Sequence, residues 1–395
     1  MAVARPLIGV LLAGLVCACA SAPGASVPLP SKPEGIPRPL ASDLGPKLAE
    51  ARRAGALPAL VVGIVPVDGD WAVGAQGLRA LNDDAVVSTG DLFHLGSATK
   101  PMTADLVAML VGVGRLRWDA TVGELVPELL PVGGGAFATA TLRQLLVHEA
   151  GLPALDELTE AEWQRLRDLP GTPTAQRATL LRELLRGPAA KPIGERLYSN
   201  AGYILAGFIA ERNAGKPFET LRRERLLEPL GMGACREGWP RRAPGDPEPL
   251  GHEPGEAAAT LVKVGNQPII GAFMAPAGDL ACPPESIARY LRWHLRALAG
   301  EPQRPPLPEF AVLHGLHPPG AAPLGWGRSQ RNDGTEVQAI MGSLGLFTGV
   351  IALDVTHRIG YFALTNVGES PRVKAALLQA LRALQPPAAA PAPSL

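Results

Sequence analysis

Neither sign of charge is in excess in this sequence: Lys+Arg and Asp+Glu both number 37 in 395 residues. A balanced chain offers no basic surface to nucleic acid or to an anionic membrane, so nucleic acid is not expected as a partner. Aromatic residues are few, at 5%, and exclude nothing further. There are four cysteines: Cys17 and Cys19 lie in the leader, which leaves Cys235 and Cys282 for the rest. A disulfide between those two and a pair of buried free thiols both fit the spacing. No Cys-x-x-Cys or His-Glu-x-x-His occurs, and neither His148-Glu149 nor His252-Glu253 has a second ligand at metal spacing. No metal site and no cofactor are therefore expected. No repeat of fixed period is visible, which excludes a solenoid or propeller.

Hydrophobic residues fill 47% of the chain, enough to bury a large core as one big domain or two intergrown ones. At the start, Arg5 precedes the apolar run Pro6 to Val16, which is too short to span a bilayer, and Cys17-Ala18-Cys19 follows. This order fits a secretory signal peptide and resembles a bacterial lipobox. Cys19 fits the acylated position better than Cys17, because Gly14 stands three residues before Cys17. The expectation is a lipoprotein signal peptide over 1–18, a lipid anchor on Cys19 and a Pro/Ala/Ser-rich tether over 19–40. Cleavage and release without acylation is the alternative. Ala20 after the cysteine, rather than aspartate, points to a periplasm-facing protein of an outer membrane.

The folded domain is expected over 41–385, followed by a disordered Pro/Ala tail over 386–395. Helical spacing over Ala41 to Gly55 gives way to an apolar β-branched run, Leu60 to Val65, then the turn signal Asp68-Gly69-Asp70 and a returning strand, Trp71 to Gly77. Helical patterns dominate from 93 to 300. Past a Pro-rich loop, Glu336 to Met341, Phe347 to Asp354 and Arg358 to Thr365 read as strands, and Pro371 to Leu384 as a closing helix. Strands at both ends with helices between predict an α/β chain of the α+β type. Its mostly antiparallel sheet is built from 56–80 and 323–385, with a helical region beside it.

Within Phe93-His94-Leu95-Gly96-Ser97-Ala98-Thr99-Lys100-Pro101, a serine precedes a lysine by three residues at the start of an apolar helical run. Pro101 is tolerated only in a first helical turn, so Ser97 and Lys100 share a face where free N–H groups and a partial positive charge lie. Ser97 is the candidate nucleophile and Lys100 its base, provided that burial or a nearby cation lowers the amine's pKa. Tyr198-Ser199-Asn200, ahead of the run Ala201 to Arg212, supplies a phenol able to relay a proton and an amide able to hold the lysine and a substrate carbonyl. Taken alone, it reads better as a tyrosine packed at a helix start with Asn200 as the cap.

Four blocks, Phe93 to Lys100, Gly114 to Asp119, Thr141 to Leu152 and Tyr198 to Tyr203, resemble in order and spacing the class C β-lactamase-related serine hydrolases. Leu230-Gly231-Met232 and Ala277-Gly278-Asp279-Leu280 resemble two further landmarks of that family. The resemblance covers nearly all of 40–385. It implies an antiparallel sheet flanked by helices, an all-helical subdomain and a site in the groove between them. It further implies acylation of Ser97, proton transfers shared by Lys100 and Tyr198, and substrate positioning by Asn200. No Gly-x-Ser-x-Gly occurs, which counts against an α/β-hydrolase.

The third family motif, Lys-Thr-Gly or His-x-Gly, departs: its position holds Ile340-Met341-Gly342-Ser343. Gly342 keeps the close backbone approach, and the Ser343 N–H can join that of Ser97 as an oxyanion hole. Isoleucine offers a substrate carboxylate no anchor, unless Arg328 or Arg331 replaces the cation. Two expectations follow: a neutral ester, amide or lactone is favoured over an anionic one, and Lys100 stays protonated to higher pH, moving activity to alkaline conditions. The reading is an exported serine hydrolase of small esters or amides. The alternatives are a β-lactamase or D-alanyl-D-alanine carboxypeptidase or D-aminopeptidase, and a non-catalytic ligand-binding relative in the cell envelope.

Overall fold

A computed structural model describes residues 41–156, 158–331 and 334–385. The expected signal peptide, the Cys19 anchor, the tether and the tail over 386–395 lie outside the described residues.

The chain begins with helix α1 (Ala41–Ala54) and strands β1 (Ala59–Pro66) and β2 (Ala72–Gly77). The nucleophile segment follows as a two-residue strand β3 (Phe93–His94), a 3₁₀ turn (Gly96–Thr99) and helix α2 (Lys100–Gly112). The helical region includes α3 (Pro173–Leu184) and α4 (Asn200–Ala214). It closes with β4 (Ala281–Cys282) and α5 (Pro284–Leu298). Strands β5 (Gly327–Gln330), β6 (Glu336–Ser343), β7 (Thr348–Asp354) and β8 (Ile359–Thr365) lead to α6 (Pro371–Leu384). Local rules set many of the boundaries. Reciprocal Thr/Glu or Thr/Gln capping boxes start three helical turns of the middle region, and Pro371 follows the Ser370 cap.

The six long strands form one antiparallel sheet in the order β2-β1-β8-β7-β6-β5, so the N-terminal hairpin joins the C-terminal strands as expected. Helices α1 and α6 cover one face, where Leu48, Val62, Ile64, Leu377 and Leu381 pack together. The opposite face carries α5 and the helical region. With both faces covered, β7 and β8 are buried at every position and read as continuous apolar runs rather than alternating ones.

Three features depart from the sequence expectation. β6 continues past Met341 to Ser343, because Gly342 and Ser343 keep pairing with Gly349 and Thr348. The edge strand β5 (Gly-Arg-Ser-Gln) has no apolar alternation to announce it. The helical stretch is interrupted by two short ladders, β3 with β4 and His252–Glu253 with Thr260–Leu261.

A buried polar chain ties α2 to β6. The Tyr290 hydroxyl donates to Asp105 (2.6 Å), which lies 3.3 Å from His294 Nε2. His294 Nδ1 is 3.0 Å from His314 Nε2, and His314 Nδ1 is 2.8 Å from Gln338 Oε1. Burial, with His294 beside it, pushes the His314 pKa down to about 3 and keeps that ring neutral.

Cys235 and Cys282 form a disulfide, which resolves the open choice between bridge and thiols. The bridge fastens β4, the partner of the strand that leads to Ser97. Replacing both cysteines with serine is expected to lower unfolding free energy by about 2–4 kcal/mol, read as a lower urea midpoint.

Candidate active site

Ser97 and Lys100 sit at either end of the 3₁₀ turn that opens α2, and in such a turn side chains three apart eclipse one another. The Lys100 Nζ thereby comes 2.9 Å from Ser97 Oγ. It also donates to Asn200 Oδ1 (2.8 Å) from α4 and to the Ala277 carbonyl (2.7 Å). Lys100 is fully buried, with the rings of Tyr198 and Tyr203 centred 4.9 and 5.5 Å away. Burial lowers its pKa well below the ordinary lysine value, with only the Asp156 carboxylate acting against this. Burial of the amine thus works in the direction in which the missing third-motif cation would have worked, against the expected alkaline shift. A neutral amine has two N–H donors and one lone pair. Asn200 and Ala277 take the donors, so the lone pair is left for the Ser97 hydroxyl proton.

The Tyr198 hydroxyl donates to Ser97 Oγ at 2.7 Å. Burial holds the phenol's pKa above its usual value against the opposing Ser97 bond, so Tyr198 stays protonated where Lys100 is neutral. Two groups on one oxygen, with pKa values pushed in opposite directions, can act as base and acid. The cap of α4 is Ser199, whose Oγ accepts from the Gly202 N–H, and not Asn200. That frees the Asn200 side chain for Lys100.

His148 gives no chemical signal in the sequence beyond its place in the Thr141 to Leu152 block. Its Nδ1 accepts the Ser199 N–H (3.1 Å) and its ring lies 4.5 Å from that of Tyr198. Burial, reinforced by Lys100, pushes its pKa down to about 3, so it orients Tyr198 as a neutral ring.

β6 crosses the Ser97 turn at backbone contact. A methyl group on Gly342 would lie 2.0 Å from the Leu95 carbonyl oxygen and 2.5 Å from Ser97 N. One on Gly96, which has φ +50°, would lie 2.4 Å from Ser343 N. Only glycine fits at either place. The Ser343 hydroxyl donates to the Phe347 carbonyl (2.7 Å) and accepts from Gly345 and Glu369 N–H groups, shaping the turn rather than facing the nucleophile.

Ile340 lies two residues before Gly342 and so on the same strand face, packed against the larger core. Neither nearby arginine replaces the absent cation. Arg328 donates to the His314 and Gly315 carbonyls and pairs with Glu336, and Arg331 pairs with Asp354 at the far end of β6 and β7. The charges that bear on Tyr198 are instead the carboxylates of Asp156 and Glu369.

The segment Ala272 to Cys282 backs the site. Beyond Ala277 and Lys100, the Leu280 carbonyl accepts the Leu95 N–H (2.8 Å). Two buried arginines clamp it from behind: Arg177 donates to Ala272 and Arg222 to Ala275 and Asp279, all at main-chain carbonyls. The resemblance to the Ala277 to Leu280 landmark located this segment in the sequence, and the fold supplies its role.

The family model named Beta-lactamase matches residues 46–385. Esterase EstB of Burkholderia gladioli is 31% identical over 175 residues, covering 41% of this chain and 42% of that protein. Unguisins hydrolase ungD of Aspergillus violaceofuscus is 28% identical over 211 residues, covering 51% and 35%. The chain therefore spans less than half the length of these curated relatives. The octameric penicillin-binding protein homologue from Pyrococcus abyssi superposes with a TM-score of 0.70 at 21% identity, over 87% of this chain and 77% of that one, a likeness of fold. A family match over nearly the whole described chain, joined to this fold, makes the protein a member of the beta-lactamase family.

Proposed function

We propose that this chain is a serine hydrolase that cleaves a small ester or amide without a carboxylate, through an acyl-enzyme on Ser97. The observation that carries the reading is the buried Lys100 amine, 2.9 Å from Ser97 Oγ, with the Asn200 amide oxygen and the Ala277 carbonyl as its two other partners. The Oγ–C bond forms as the Ser97 proton passes to Nζ. The negative oxygen of the tetrahedral intermediate is held by the Ser97 and Ser343 N–H groups. The bond to the leaving oxygen or nitrogen breaks as Tyr198 supplies a proton to it. Asn200 holds Lys100 and meets the substrate carbonyl from the same amide. Water then attacks the acyl-enzyme, releases the acid and returns Ser97, Lys100 and Tyr198 to their starting states.

Two observations support a substrate without a carboxylate. Ile340 offers such a group no hydrogen bond, and Asp156 and Glu369 add negative charge around Tyr198. The esterase named among the relatives agrees with this preference. For location, we propose export with a lipid anchor on Cys19, facing the periplasm from the outer membrane. The Cys235–Cys282 disulfide supports an oxidising compartment.

A fluorophosphonate probe is expected to add once to the wild type and not to Ser97→Ala, read by intact mass. The labelling rate should rise with pH as Lys100 deprotonates and level off well below pH 10.5, the ordinary lysine value. A rate still climbing at that pH would contradict a depressed Lys100. Ile340→Lys is expected to raise kcat/KM for a carboxylate-bearing lactam about tenfold relative to p-nitrophenyl acetate, the worth of one charge-assisted hydrogen bond. Cys19→Ala is expected to abolish incorporation of labelled palmitate in cells and to move the protein out of the membrane fraction.

A further inference from the structure

His94 and Asp279 come from the two sequence blocks that meet behind the nucleophile, and neither has a part in the chemistry described above. Both are buried, at 1% and 5% exposure, and so cannot touch substrate. The Gly96 N–H donates to His94 Nδ1 at 3.2 Å. On the other side of the ring, His94 Nε2 lies 3.2 Å from Asp279 Oδ1, which also accepts the Gly238 N–H at 2.8 Å. A backbone N–H can only donate, so Nδ1 must carry the lone pair and Nε2 the proton, which is given to Asp279. Asp279 thus fixes both the tautomer and the tilt of the ring. Trp239, its ring 4.8 Å from that of His94, closes the remaining side.

The group held by this pair lies immediately before Ser97. Gly96 has φ +50°, a methyl group on it would lie 2.4 Å from Ser343 N, and one on Gly278 would lie 3.3 Å from the Gly96 carbonyl carbon. Fixing the Gly96 N–H sets the orientation of the Leu95–Gly96 peptide. With the φ of Gly96 also set, and the Ala98 N–H bonded back to the Leu95 carbonyl (3.1 Å) to close the turn, the peptide that carries the Ser97 N–H keeps little freedom. We propose that His94 and Asp279 are positioning residues for the oxyanion hole, holding the Gly96 turn so that the Ser97 N–H points at the reacting carbonyl oxygen.

This inference rests on the acyl-enzyme reading, and the test separates the two. Fluorophosphonate labelling of the full chain gives two quantities: the final fraction labelled, which counts folded sites, and the rate per site, which reads oxyanion geometry. If the wild type fails to label at all, the acyl-enzyme reading falls first. With the wild type labelling, His94→Leu and His94→Gln are expected to reach full labelling at a rate about 10- to 100-fold lower, a part of the loss seen when an oxyanion donor is removed. Their KM for p-nitrophenyl acetate should stay within about threefold of wild type while kcat falls, as for an interaction made mainly in the transition state. His94→Asn should recover to within about threefold, because an asparagine side chain accepts the N–H two residues on. Asp279→Asn keeps the Oδ1 acceptor and should also label near the wild-type rate, whereas Asp279→Leu should not. A lower labelled fraction at an unchanged rate per site would overturn the proposal in favour of a purely structural pair. Should His94→Leu not fold, the comparison of His94→Gln with His94→Asn decides, and equal rates would overturn it.

Discussion

The burial of one amine governs this structure. Lys100 is fully buried, and no carboxylate touches it among the described residues, so its charge is not compensated and its proton is weakly held. An unpaired donor at that depth would be costly, and the fold brings an acceptor to it from each of two directions: Asn200 from α4 and the Ala277 carbonyl from the segment behind the site. The third direction is left to Ser97. Much of the helical region can be understood as the support that keeps those partners in place.

That support is itself built of buried charge. Arg177 pairs with Glu211 and Glu219, Arg222 pairs with Glu237, and each spends a further N–H on a main-chain carbonyl between Ala272 and Asp279. Breaking one such pair by removing a partner costs about 3–5 kcal/mol, because the other charge is left stranded. The segment that supplies the Ala277 carbonyl is thereby tied both to the helices and, through the β3–β4 ladder and the Cys235–Cys282 bridge, to the strand that leads to the nucleophile. Across the groove, the glycine contacts between β6 and the Ser97 turn leave no room for a side chain, so the spacing between the two backbones is set by hard contact.

In the sequence, the missing third-motif cation bears on both activation and substrate choice, because a lysine or histidine there would anchor an anionic substrate and lower the Lys100 pKa. In the fold, burial lowers that pKa without a cation at position 340. Arg328 and Arg331, close enough in sequence to substitute, are taken up by Glu336, Asp354 and main-chain carbonyls. The charges that bear on Tyr198, those of Asp156 and Glu369, have the opposite sign to that of the absent residue, whereas Arg196 acts on His148 and Tyr203.

The sequence alone determined whatever depends on short spacing: Ser97 three residues before Lys100, the cap and proline that open α6, the apolar runs of β1, β7 and β8, and the glycine at 342 that permits close approach. It also determined the family, because several ordered blocks cannot arise together by chance. Only the tertiary structure decided what depends on distant parts of the chain meeting. The depth of Lys100 is a property of everything packed over it, and the role of His148 depends on an N–H some fifty residues away. The same holds for the pairing of Cys235 with Cys282 and for the contact of His94 with Asp279. Edge strand β5 escaped notice for a related reason: with one neighbour and no apolar face, its ladder bonds to β6 identify it, and those form only after the sheet is assembled. Local pattern records local geometry, whereas pKa values and hydrogen-bond partners are set by the surroundings that folding supplies.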